Sequence, residues 1–147
     1  MRHSALPDEQ PTAVLSTPDR VLGRRIQVPQ FGDTLSRIDW LQQQVGGHVQ
    51  PLRVAPTLMM WIDEEAGPKG LAINYRASLW ASAYTGAAQP VVLSGPVLLT
   101  GIDQQGHPVG MDRDVVLALF RYARCAPRRG ELTLLHAAIP PHPAPVA

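Results

Sequence analysis

The stretch Leu41-Gln-Gln-Gln-Val-Gly-Gly-His-Val-Gln50, followed by Leu58-Met-Met-Trp-Ile-Asp-Glu-Glu-Ala-Gly-Pro-Lys-Gly70 and Asn74, decides how the middle of the chain folds. It carries a helix end, two strands and a charged turn. Upstream, Asp33 is a good N-cap, because its carboxylate accepts from the free amides of a first turn. Leu35, Ile38, Leu41 and Val45 then fall near helical spacing as one apolar stripe. Gly46 or Gly47 ends this Thr34–Val45 helix, since glycine takes the left-handed conformation without the penalty a Cβ brings. At least one of the two is expected to have positive φ. His48 to Val54 and Leu58 to Asp63 read as strands, and Glu64 to Gly70 as a turn punctuated by Gly67-Pro68.

Working outward, Arg25 to Val28 is a short strand closed by Pro29. Asn74 caps a helix over Tyr75 to Tyr84. Val91 to Thr100 is strand-like, but Gly95-Pro96 must break or bulge it. Asp103 to Gly106 is a turn, and Asp112 or its neighbour caps a last helix through Arg124. Val115, Val116, Leu119, Tyr122 and Ala123 form its apolar face. A further strand is expected at Leu132 to Leu135.

The expected fold class is α+β: a small mixed β-sheet with two or three helices packed on it, in the order β-α-β-β-α-β-α. Helices on one face of the sheet would bury these stripes most simply. Residues 1–22, with three prolines and no sustained period, read as a disordered or extended tail. Residues 23–136 read as a single domain, and 137–147 as a Pro-rich disordered tail.

Composition narrows the function classes. The chain has 147 residues, 45% hydrophobic and 5% aromatic, so one domain with an aliphatic core is expected. A net charge of +1 gives no global attraction to nucleic acid or acidic membranes. The single Cys125 makes no intrachain disulfide and reads as a small packed side chain. The first residues lack the apolar run of a signal peptide, and no apolar stretch reaches the ~20 residues that span a bilayer. A soluble, cytoplasmic protein that does not engage membranes is therefore expected.

Chemistry-bearing motifs are sparse. Asp63-Glu64-Glu65 offers oxygen ligands for a hard divalent cation, or simply solvated charges on a hairpin turn beside Lys69. The histidines, His3, His48, His107, His136 and His142, are dispersed, and none has a second His or Cys at zinc spacing. A dyad of Cys125 with His48 or His107 would need a contact made by the fold. No Gly-rich loop leads from a strand into a helix with Lys-Ser/Thr, and Ser94-Gly95 lacks the Gly-x-Ser-x-Gly spacing. No catalytic residue, metal ligand or cofactor site is assigned. Arginines group at Arg20, Arg24 and Arg25, and again at Arg121, Arg124, Arg128 and Arg129. Arg121, Arg124 and Arg128 are spaced to line one helix face toward phosphates, or the group favours a helix C-terminus through its dipole. Pro127 opposes extending that helix.

Leu41 to Gln50, Ile62-Asp-Glu-Glu65, Lys69-Gly-Leu-Ala-Ile-Asn74 with Ala77, and Val92 to Thr100 together resemble a family of uncharacterised domains, domain of unknown function 3846. Its members are short proteins of bacteria, plasmids and phages. The pattern is a helix ending in Val-Gly-Gly, an extended segment, a strand ending in Asp/Asn-Glu-Glu, then Leu-x-x-Asn, then a strand containing glycine. The resemblance covers roughly Arg25 to Arg124. After the glycine pair the family often shows an aromatic-hydrophobic-acid triplet, where this chain has His48-Val49-Gln50, so no base stands at position 50. The resemblance implies a mobile-element or accessory context and no reaction.

Three functional readings follow. The first is a non-enzymatic accessory module that binds a macromolecule, in the first instance a protein, with Gly46, Gly47, His48, Glu64, Glu65 and Asn74 as candidate interaction or ligand positions. The alternative is a nucleic-acid-associated protein using Arg121, Arg124 and Arg128 with the first-strand arginines. The third is a metal-dependent enzyme built on Asp63, Glu64 and Glu65, with Asn74 orienting a ligand.

Overall fold

The computed structural model describes residues 11–20, 23–85 and 91–124, with side chains as far as Phe120. Along the chain come β1 (Ala13–Ser16), β2 (Arg24–Ile26), α1 (Thr34–Val45), β3 (Val49–Ala55), β4 (Leu58–Asp63), α2 (Tyr75–Thr85), β5 (Val97–Ile102), β6 (Pro108–Val109) and α3 (Arg113–Arg124). This is a small α+β fold. From β2 onward it follows the expected order, with β6 added.

The strands form one sheet in the order β2-β1-β5-β4-β3, with β6 also on β5. Every pairing is antiparallel, where a mixed sheet was expected. The cause lies in the return from α2. Residues Val91 to Gly95 run back along that helix and bring the chain to the end of the sheet where β4 stopped. β5 therefore starts beside the end of β4 and runs against it. Pro96 stands opposite Asp63 in that register and has no N–H to give, so the ladder begins at Val97.

β1 corrects the expected N-terminal tail. Ala13 to Ser16 are all buried, and β1 pairs with both β2 and β5, so these four residues belong to the domain. The six residues between Pro11 and Pro18 are too few to show a period, and only the neighbours supplied by the fold make four of them a strand. The expected strand at 132–135 and the tail at 137–147 lie outside the described residues.

Helices cover both faces of the sheet, not one. Ala13, Leu15, Met59, Trp61 and Leu98 share one face with Leu41 and Val45 of α1. Val14, Leu58, Met60, Val97 and Leu99 pack on the other with Ala77, Trp80 and Ala81 of α2 and Val116 and Leu119 of α3. Consecutive apolar residues in β1, β4 and β5 require this, because neighbouring strand residues point to opposite faces and both must leave water.

α1 begins and ends where its caps require. Asp33 accepts from the Ser36 amide at 2.7 Å. Gly46 has φ 85°, and its N–H donates to the Gln42 carbonyl at 2.7 Å. Only the C-terminal half of the apolar stripe reaches the sheet: Leu41 and Val45 are buried, but Leu35 is 72% and Ile38 38% exposed.

Candidate functional site

One end of the sheet gathers most of the chemistry-bearing residues. In register across it lie Ser16, Val97, Ile62 and Gln50. Beyond that row stand the Gly46-Gly47-His48 corner, the 64–70 turn, the Gly95-Pro96 corner and the Thr17–Arg20 turn. Among the candidate positions, Gly46, Gly47, His48, Glu64 and Glu65 are brought together here, and the Glu64 amide donates to the His48 carbonyl at 3.0 Å.

Asp63 organises this corner. Its side chain is 1% exposed, and Oδ2 accepts from Lys69 Nζ at 2.7 Å. Oδ1 accepts from the Glu65 amide at 2.9 Å. Burial pushes the carboxyl pKa up, but the hydrogen bonds from Lys69 and Glu65, with the charges of Lys69 and His48, outweigh it and hold the pKa below the usual carboxylate value. Both oxygens are thus engaged inside the protein. Glu64, Glu65 and His48 are exposed. Among the described residues no group of three or more His, Cys, Asp or Glu side chains is placed to hold a metal ion.

Asn74 is buried and fully hydrogen-bonded. Nδ2 donates to the carbonyls of Ser16 and Gly95, each at 3.0 Å. Oδ1 accepts from the Ala77 amide at 3.0 Å, capping α2, and from Ser16 Oγ at 3.2 Å. Its role is to tie α2 to β1 and to the approach to β5.

Sequence reasoning missed the seam that continues from it. Asn74, Ser78 and Ser82 recur every four residues along α2 and face Gly95, Leu93 and Val91, which recur every two. The Leu93 amide donates to Ser78 Oγ and the Val91 amide to Ser82 Oγ, both at 2.9 Å. Ser78 Oγ donates in turn to the Asn74 carbonyl at 2.7 Å. Four helical residues rise ~6 Å and two extended residues ~6.6 Å, so the two spacings match. The serine period was visible in the sequence, but its extended partner was not.

A cleft of about 240 Å³ opens beside this seam, between the Thr17–Arg20 turn and the first turn of α2. Arg20 and Arg76 line it with Asp19 and Tyr75. Burial lowers the pKa of the half-buried Arg76 guanidinium. Arg20 was flagged by local charge, whereas nothing in the sequence pointed to Tyr75 or Arg76.

The remaining candidates separate. Arg24 pairs with Leu15 and Arg25 with Val14, so these two side chains fall on opposite faces of the sheet. The side chains of Arg121 and Arg124, and the whole of Cys125 and Arg128, lie outside the described residues. His107 belongs to the turn at the far end of β5, where Asp103 Oδ1 accepts from its amide at 2.9 Å. It is thus separated from His48 by the length of the strand.

No helix among the described residues is long and apolar enough to cross a membrane. No curated protein and no solved structure matches the chain. One family does: the model described as Domain of unknown function (DUF3846) matches residues 12–123, from the residue before β1 to the last turn of α3, and the chain belongs to that family.

Proposed function

We propose that this protein is a small non-enzymatic accessory module that binds another protein through the outer face of α1, in the mobile-element setting that the family resemblance implies. The observation that carries the reading is Leu35, 72% exposed, with Ile38 38% exposed one turn on. They continue the stripe of Leu41 and Val45 beyond the sheet, and Leu35 is the most exposed large apolar side chain among the described residues. Exposed apolar side chains next to a buried stripe are a common mark of a protein-binding face. The polar candidates at the sheet end support the same reading, because Asp63 and Asn74 are engaged by internal hydrogen bonds.

Affinity capture from a lysate of the native host tests it. Wild type is expected to retain a protein that the Leu35→Lys/Ile38→Lys variant loses, with both equally folded by circular dichroism. Identical captures from the two would sink the reading. The nucleic-acid alternative rests on Arg121, Arg124 and Arg128, and a low-salt gel shift with duplex and single-stranded probes decides it, since phosphate contacts weaken steeply with salt.

A further inference from the structure

We infer that Pro51 closes the β3 edge of the sheet to strand addition, and that the chain it keeps out is a second copy of this one. β3 is the last strand in the order β2-β1-β5-β4-β3, so one of its sides has no neighbour among the described strands. The direction of its backbone groups follows from one hydrogen bond and the register. The Glu64 amide donates to the His48 carbonyl at 3.0 Å, and Val49 faces Asp63 one step along. In an antiparallel ladder bonded and non-bonded pairs alternate. Gln50 and Leu52 therefore turn their N–H and C=O groups toward β4, while Val49, Pro51 and Arg53 turn theirs outward. The other side of β4 agrees: the Ile102 amide donates to the Thr57 carbonyl at 3.2 Å, so odd-numbered residues there serve β5 and even-numbered ones serve β3.

Pro51 is thus the middle one of three outward positions, and it has no N–H to offer. A two-fold antiparallel pairing of β3 with another β3 centred there would set Val49 against Arg53 and Pro51 against Pro51. Both missing donors would then fall at the centre of the new ladder. Arg53 adds an exposed charge at the same edge, its Nη1 donating to the Pro56 carbonyl at 3.1 Å. The opposite edge is protected differently: β2 has three residues, of which Arg24 and Arg25 are exposed. β3 has seven, long enough to template a partner, so a block is needed there.

The test is Pro51→Val in the full chain, with mass measured by light scattering across a concentration series. Wild type is expected at monomer mass and Pro51→Val at twice that mass, increasingly so with concentration. Gln50→Val raises strand propensity at an inward-bonded position and is expected to stay monomeric. A folded Pro51→Val that remains monomeric, or a Gln50→Val that dimerises as readily, would overturn the inference. Amide exchange on wild type gives a second arm that holds even where Pro51→Val does not fold. Val49 and Arg53 amides are expected to exchange much faster than those of Gln50 and Leu52. Equal protection of all four would show that the edge is already covered.

Discussion

Gly47 and Asp63 meet across the end of the sheet so closely that a Cβ at position 47 would stand 2.8 Å from Asp63 Oδ2 and 2.6 Å from Lys69 Nζ. Real side chains do not approach so near. The second glycine of the pair is required by the ion pair of buried Asp63 and exposed Lys69 behind it, whereas the first is required by its own backbone.

Two different costs follow. Gly46 has φ 85° with open space around its Cβ position, so Gly46→Val is expected to lose roughly 1–2 kcal/mol from backbone conformation alone. Gly46→Asn should lose less, because asparagine tolerates the left-handed region. Gly47→Val must displace the Asp63–Lys69 pair and is expected to cost about 1–3 kcal/mol. Urea melts against Gln43→Ala, a surface change within about 0.5 kcal/mol of wild type, check all three. A Gly47→Val protein as stable as Gln43→Ala would mean that the pair yields freely.

The same carboxylate sets a pH dependence. Its folded pKa lies below the usual value, so its contribution to stability is fully present above the unfolded pKa of about 3.9 and is lost as pH falls through the folded pKa. Asp63→Asn is expected to lose about 1–3 kcal/mol at neutral pH. The difference from wild type should shrink on acidification below pH ~4. Thermal melts between neutral and acid pH measure it, and a gap that widens on acidification would contradict the assignment.

Asn74→Ala removes a helix cap and strips hydrogen bonds from the buried carbonyls of Ser16 and Gly95. A loss of at least about 2 kcal/mol is expected. Ser78→Ala leaves the buried Leu93 amide without its acceptor and should cost about 1–3 kcal/mol. Ser82→Ala, in the partly buried stretch of the seam, should cost less. Chemical denaturation ranks the three, and an inverted order would show that the seam does not hold the segment to α2.

The two core tryptophans should respond differently to the same change. Trp61 Nε1 donates to Thr100 Oγ1 at 2.9 Å in the interior. Trp80 Nε1 is buried without a hydrogen-bond partner among the described residues. Trp61→Phe strands a buried hydroxyl, while Trp80→Phe removes a donor that satisfies nothing, so Trp61→Phe should be the more destabilising by about 1 kcal/mol. Equal losses in equilibrium unfolding would refute this difference.

Local chemistry alone determined a good part of this protein. The Asp33 cap and the Gly46-Gly47 end of α1, the Asn74 cap of α2, the Gly95-Pro96 interruption and the Leu58–Asp63 strand depend on a residue's own hydrogen-bonding groups and allowed dihedrals, and they were legible from the residues themselves. The family pattern was legible for the same reason, since its motifs fall at these caps and strand ends.

What required the tertiary structure depends on neighbours distant in sequence. Ala13 to Ser16 become a strand only because β5 and β2 lie on either side. The 91–95 segment turns back along α2 because its amides meet Ser78 and Ser82. α1 lies on the opposite face from α2 and α3 because β1, β4 and β5 are apolar at successive positions. The candidate site changed meaning in the same way: Asp63 read as a cation ligand or a solvated turn charge, and Asn74 as a helix cap or ligand position, until the fold bonded Asp63 to Lys69 and Asn74 to the carbonyls of Ser16 and Gly95. A residue's intrinsic preferences act over a few neighbouring residues, whereas its burial and its partners are set by the packing of the whole sheet.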